Sequence, residues 1–463
     1  MLHFKPNKFV FLIITVISRR SSHSSCSSSS IYVLEAFSAV VSCFTSRKWN
    51  FSGRCHSDCK PIVSHQRRLA SLAFLVGKPS QLSCVLPSHT DFLVIMEAKP
   101  RVVGTTSEVV PLALPKGSAK LCELCQREAH LQCTECRVTF YCHAEHQQAD
   151  WVGIHERICP LLVPIRTQTL SSLQEAGRIE MQLKKAELVE ICKLVAQSKL
   201  SEGKHQEALP AAQFCLRCSI DVHGPRTVHL VPAYLLLAEA NMGLGNLTMV
   251  AELLSQAEWV ALKSPECGHA VHHRLHRSLG RLHTATGNLE AALLNFANDI
   301  YFASEAYGLD STVTCGGYYL MADVFTKQGK VPVACSLYSE VARTWHCHLT
   351  KHLETHMQNM QNPDMSFEPS YDNAQRVEVD EMFRTMLEFE QNRSGKDSAQ
   401  VALVAHCLAM LCFLGGDCLK ALGFCSEALQ ASQLIPNHDL TEPIQGLLQL
   451  VQSLQTEPRP GSD

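Results

Sequence analysis

The chain has 463 residues, with 41 Lys and Arg against 44 Asp and Glu, for a formal net charge of −3. At roughly 100–200 residues per domain this is two to four units, enough chain to bury a core, and the balance excludes the strongly basic profile of a general nucleic-acid binder. Charged residues at 18% and aromatics at 7% exclude a wholly disordered chain, while 22 cysteines and 23 histidines stand out in a sequence too long for a secreted disulfide scaffold.

Residues 1–95 differ from the rest. They hold 11 Lys and Arg, 3 Asp and Glu and 19 serines, so a +8 segment precedes 368 residues carrying −11. Phe9–Ile17 is an apolar run of nine, far short of the roughly 20 residues that span a bilayer. It has the length of a signal-peptide core, but Arg19, Arg20 and serines follow, with no small-x-small cleavage site. The expectation is a disordered extension over 1–95, or upstream sequence ahead of an ordinary cytosolic start at Met96, then a linker over 96–118. No membrane partner is expected.

Four pairs of metal-ligand type come next: Cys122/Cys125, Cys133/Cys136, Cys142/His146 and His155/Cys159. A Cys-x2-Cys pair lets two thiolates reach one ion from a tight turn. Residues four apart on a helix share one face. Eight such ligands make two closed tetrahedral zinc sites, which are structural rather than catalytic. His143 competes with His146 for its place. A segment of 38 residues has little apolar mass, so the metal supplies much of its folding energy.

The spacing resembles the MYND zinc finger, with Tyr141-Cys142, Asp150-Trp151 and the final His155-x3-Cys159 all in place. The resemblance implies interleaved sites over 119–162. Cys122, Cys125, Cys142 and His146 would hold one zinc, and Cys133, Cys136, His155 and Cys159 the other. His146 stands where the family usually has Cys, and imidazole is an ordinary zinc ligand. Eight residues separate His146 from His155, where seven is usual. The family binds proline-rich peptides, not DNA. Gln147 and Trp151 match its peptide-groove positions, although a Trp in so small a module also serves as core.

After the finger, Leu170–Gln197 reads as a long amphipathic helix, and a repeat follows over 165–455. Gly203, Gly245, Gly287 and Gly329 lie 42 apart, with Gly416 a further 87 on. Seven residues before each stands a small residue (Ala196, Ala238, Gly280, Ala322, Ala409). Five after stand Ala208, Val250, Ala292, Ala334 and Ala421, and nine after stand Ala212, Leu254, Phe296, Tyr338 and Cys425. Small residues let two helices approach, larger ones fill the gap beyond, and glycine makes the turn. The pattern resembles the tetratricopeptide repeat in a long-period form. The expected fold is thus mostly α: a two-zinc MYND finger followed by an α-helical TPR-like solenoid. Residues 343–398 read as a degenerate repeat with elongated helices and a loop near 362–372. Pro443–Gln455 reads as a capping helix, and 456–463 as a polar tail. The 11 cysteines beyond the finger fall mostly on apolar faces and read as packing.

Such arrays bind through the surface lined by their first helices. Arg274, Arg277 and Arg281 are spaced to form a basic stripe there, which implies an acidic helix or tail as partner, unless they are an ordinary solvated face. His272 and His276 are four apart and could bind a metal, a reading that the lack of cysteine or carboxylate company argues against. A SET methyltransferase, which splits its catalytic domain around such a finger, would need a Gly-x-Gly loop and an Asn-His-x-Cys element. The sequence has only isolated glycines before Cys122, and Asn437-His438 is followed by Asp-Leu. No nucleotide-binding glycine loop or Gly-x-Ser-x-Gly elbow is present. The expectation is a non-catalytic protein-interaction adaptor. One finger joined to a 42-residue array resembles the MYND branch linked to cilia and flagella, implying ciliary or axonemal protein partners and a cytoplasmic or axonemal location. A nuclear transcriptional co-regulator is the alternative, disfavoured by the lack of a dense Lys/Arg cluster in the folded part.

Overall fold

The computed structural model describes residues 106–108, 120–167, 175–361, 373–395 and 398–456. The extension expected over 1–95, the loop near 362–372 and the tail after Thr456 lie outside the described residues. Among those described, no helix is long and apolar enough to cross a membrane.

The finger is built on a small antiparallel sheet of β1 (Thr106–Glu108), β2 (Leu131–Cys133) and β3 (Phe140–Tyr141). β1 falls inside the segment expected to be linker. It pairs Thr106 with Cys133 and Glu108 with Leu131, so part of that linker belongs to the finger's sheet. Helix α1 (Ala144–Asp150) follows, then a π-helical turn (Trp151–His155), then α2 (Glu156–Arg166).

Helical hairpins make up the rest. The pairs are α3 (Glu175–Ser201) with α4 (His205–His223), α5 (Val231–Gly243) with α6 (Leu247–Lys263), α7 (His269–Ala285) with α8 (Leu289–Tyr307), and α9 (Thr312–Lys327) with α10 (Val331–Gln361). Helix α11 (Asn373–Ser394) stands apart. The pair α12 (Ala399–Leu414) and α13 (Cys418–Gln433) then completes the stack, and α14 (Thr441–Thr456) caps it.

The periodic residues do what their spacing demands. Gly203, Gly245, Gly287, Gly329 and Gly416 all turn their hairpins with φ between 71° and 79°, a region in which side chains with a Cβ are strained. The small residues before and after them are buried: Ala196, Ala208, Ala322, Ala334, Ala409 and Ala421 are each 0% exposed. In the third hairpin the larger Phe296 fills the gap, and the facing position is Gly280. A Cβ there would lie 2.4 Å from the Phe296 ring.

Residues 343–398 depart from the expected degenerate repeat. The elongation is real, since α10 runs for 31 residues. However, α12 packs directly on α10, so α11 is an inserted helix rather than half of another stacked hairpin. It buries Val379, Met382, Phe383, Met386, Leu387 and Glu390. Phe383 meets Trp345 and Phe389 meets Tyr338, both on α10. Thr385 lies beside Tyr319 on α9. Helix α11 also packs on α12 and on α3. Two first helices, α3 and α12, therefore pack on it, and it joins the last hairpin to the first. This explains why α12 buries twelve of its sixteen residues, the mark of a helix covered on every side.

Candidate metal centre and its junction with the helical array

The eight predicted ligands gather into two clusters: Cys122, Cys125, Cys142 and His146, and Cys133, Cys136, His155 and Cys159. Their ligand atoms lie within 4.8 Å of one another in each group. In the first, Cys125 and Cys142 Sγ are 3.5 Å apart, and His146 Nδ1 is 3.4 Å from Cys122 Sγ and 3.2 Å from Cys142 Sγ. In the second, the Cys133 and Cys159 sulfurs are 4.0 Å apart and Cys136 Sγ is 3.7 Å from His155 Nε2. Zinc–sulfur bonds of about 2.3 Å in a tetrahedron put sulfurs about 3.8 Å apart, so both clusters fit one zinc each. The donor set, three thiols and one imidazole per cluster, is a closed structural set with no position left for substrate.

His146, not His143, completes the first cluster. His143 caps α1 instead, its ring accepting from the His146 amide at 3.4 Å. The one-residue excess between His146 and His155 is taken up by the π-helical turn at Trp151–His155. Such a turn holds one more residue than an α-turn, so His155 still reaches the second cluster.

The electrostatics favour a cation. Burial opposes ionisation of Cys122, yet the His146 ring and the backbone amides near Cys125 bring its thiol down to about 6. Burial likewise opposes ionisation of Cys136, which His155 and Thr139 bring to about 6. Cys142 is pushed up to about 12 by burial and by the sulfurs of Cys125 and Cys122. Burial and the neighbouring thiols Cys136 and Cys133 also raise Cys159. Cys122 and Cys136 ionise readily while Cys142, Cys133 and Cys159 resist, a conflict that a divalent ion removes.

Asp150 had no role in the sequence pattern beyond its place in a motif. It is 2% exposed, accepts a hydrogen bond from Tyr141 Oη at 2.8 Å, and lies 3.5 Å from His155 Nδ1. A carboxylate behind a ligating imidazole fixes which ring nitrogen faces the metal. Burial raises the Asp150 carboxyl to about 6, against the pull of His155.

The finger is not a bead on a string. Glu123 lies between the first two ligands, with its side chain 11% exposed. Arg166 at the end of α2 grips its carboxylate through two bonds of 2.8 and 3.0 Å. Arg217 on α4 adds a third bond to the carboxylate at 2.6 Å and donates to the Glu123 carbonyl. Burial would raise the Glu123 carboxyl, but the two guanidiniums hold it below its ordinary value. Arg166 also donates to Thr139 Oγ1 at 3.0 Å, and that hydroxyl is 3.5 Å from Cys136 Sγ. Nearby, Gly153 of the π-turn lies so close to α4 that a Cβ would come within 2.6 Å of Pro210. Ile154 and Ile158 join the core of the first hairpins. Glu123, Arg166 and Arg217 were not legible beforehand: they lie 43 and more positions apart, and no local motif links them.

With this geometry in hand, the comparison with known families is specific. Residues 122–159 match the MYND finger. The match spans the two ligand clusters and ends at Cys159. The MYND finger is a protein-interaction domain, and the helical region follows it directly. Among solved structures, the crystal structure of BtubC (BKLC) from P. vanneervenii is similar over 59% of this chain and 95% of its own, at 15% identity and a TM-score of 0.26. Likeness that slight carries no argument about fold or function.

The predicted peptide-contact residues fare differently from the ligands. Gln147 is 4% exposed, on a helix that contacts α4, so it is not a surface group. Trp151 is half-buried against the cysteine cluster and near the His155 ring. Of the three arginines on α7, Arg274 is exposed, and Arg281 is exposed and 3.6 Å from Glu239. Arg277 turns inward instead. It bonds the fully buried Asp299 at 2.8 Å and the Val313 carbonyl at 2.7 Å, and His273 lies 3.3 Å from the same carboxylate. A buried carboxylate needs a partner, and Arg277 is that partner, so the continuous basic stripe does not form. His272 and His276 stack on Phe302, as packing residues do.

Proposed function

We propose that this protein is a non-catalytic adaptor whose zinc-stabilised MYND finger and TPR-like array hold two protein segments at a fixed separation. The observation that carries this reading is the pair of closed metal clusters within the matched finger, fastened to a helical array. Closed sites stabilise a recognition module and leave no ligand position for chemistry. At the finger, the half-exposed edge of Trp151 receives a proline-rich peptide, one helical turn beyond buried Gln147, whose carbonyl accepts from the Trp151 amide. At the array, Arg274 and Arg281 receive an acidic segment, with Arg277 excluded from contact. Fixed separation raises the effective concentration of the second contact once the first is made. By resemblance, the partners are ciliary or axonemal proteins and the protein acts in the cytoplasm or axoneme.

Affinity capture from ciliated cells tests the two surfaces. Trp151→Ala should lose one set of partners and the double variant Arg274→Glu/Arg281→Glu another. Partner sets unchanged in both variants would sink the proposal. A tagged chain should concentrate at axonemes, and nuclear signal would favour the co-regulator reading. Clear methyl transfer to a protein from labelled cofactor would overturn the non-catalytic assignment.

A further inference from the structure

We infer that the finger and the first hairpin form one metal-dependent body, in which Glu123 carries the state of the zinc sites to helix α4. Four observations support this. Glu123 follows Cys122 directly, so its backbone position is set by the first cluster. Its carboxylate takes three guanidinium bonds, two from Arg166 and one from Arg217 on α4. Its carbonyl takes a further bond from Arg217. The second cluster enters the same network through Thr139, placed between Cys136 Sγ and Arg166.

The geometry leaves little slack. Both guanidiniums also lie over the ring of Phe214, at 5.7 and 5.6 Å from its centre. Gly153 brings the π-turn against Pro210 without room for a methyl group. When the first cluster is metal-bound, the turn from Cys122 to Cys125 is fixed and the carboxylate is presented to both arginines. When the metal leaves, the turn keeps only its hydrogen bonds, such as Gln126 N to Cys122 O at 3.1 Å, and a segment so poor in apolar mass holds it weakly. Arg217 then loses both of its Glu123 acceptors. The array would thus sense zinc through its first hairpin, and any surface of α4 and its neighbours would change with it. Coupling of this kind is reciprocal: whatever the metal does for α4, α4 does for the metal.

Hydrogen exchange on the full chain gives the first test. Removing zinc with a chelator should raise exchange in residues 205–223 by about tenfold or more, alongside the finger itself. Loosening confined to residues 120–166 would overturn the inference. Glu123→Gln, loaded with two zinc ions, should raise exchange in 205–223 by itself. If that variant fails to fold, Arg217→Met supplies the second test from the array side, since it alters no residue of the finger. By reciprocity it should speed zinc release to a chelating dye severalfold. A release rate equal to that of the unmodified chain would show that the junction is a passive contact and would refute the coupling.

Discussion

At the scale of single residues, Asp150 does the least visible work. Its carboxylate accepts from Tyr141 and faces His155 Nδ1, which leaves Nε2 for the second metal. Asp150→Asn keeps the shape and all eight ligands. It should weaken the second site by about 10–100-fold, the usual cost of removing such a partner, and leave the first site unchanged. Competition with a chelating dye would show one of two zinc ions released early. Equal release of both would contradict the assignment. The ligands were legible in the sequence because each pair is local and its spacing is chemistry. The extra residue before His155 was legible only as an anomaly. Its remedy, a π-turn, depends on how α1 and α2 are held by other elements. Arg277 was misread for a similar reason, because its partner Asp299 lies 22 residues away on the facing helix.

At the scale of helices, the third hairpin shows how a repeat absorbs a larger side chain. Gly280→Ala would press a methyl group onto the Phe296 ring. Overpacking of this kind costs about 1–3 kcal/mol, more than the helix propensity that alanine adds. The denaturation midpoint should fall, and a second change, Phe296→Leu, should recover part of the loss. No recovery would mean that the ring is not the obstacle. A different helix pair, α10 and α12, carries a pH dependence. His346 Nε2 and His406 Nδ1 are 3.2 Å apart, and His406 is 2% exposed. Burial, with His346 beside it, brings His406 down from 6.5 to about 3. The unfolded chain therefore takes up a proton below about pH 6.5 that the folded chain refuses. Stability present at pH 7 is lost as pH falls, at up to about 1.4 kcal/mol per pH unit, until the folded pKa is reached. His406→Gln should flatten the fall in thermal midpoint between pH 7 and pH 5. An unchanged slope would place the acid sensitivity elsewhere.

At the scale of the whole molecule, the 42-residue glycine period announced the stack, because each hairpin's turn and small residues recur within the local sequence. Nothing local announced that α11 would link the last hairpin to the first. Its six buried positions are covered by its chain neighbours α10 and α12 and by α3, far back in the chain. Sequence charge gave a partial hint. Helix α11 carries five acidic residues against three basic ones, and Glu381 and Arg281 each lie near Tyr319. The consequence is energetic. In an open stack each hairpin feels only its neighbours, so damage near α12 would not reach α3. Closure through α11 changes that. Phe383 and Met386 are both 0% exposed, and Phe383→Ala should cost about 3–5 kcal/mol by removing core volume. Because α11 also rests on α3, hydrogen exchange should rise in residues 175–201 as well as in 399–414. Exchange confined to the last hairpins would mean that the contact with α3 carries no energy and that the array unfolds as an open stack.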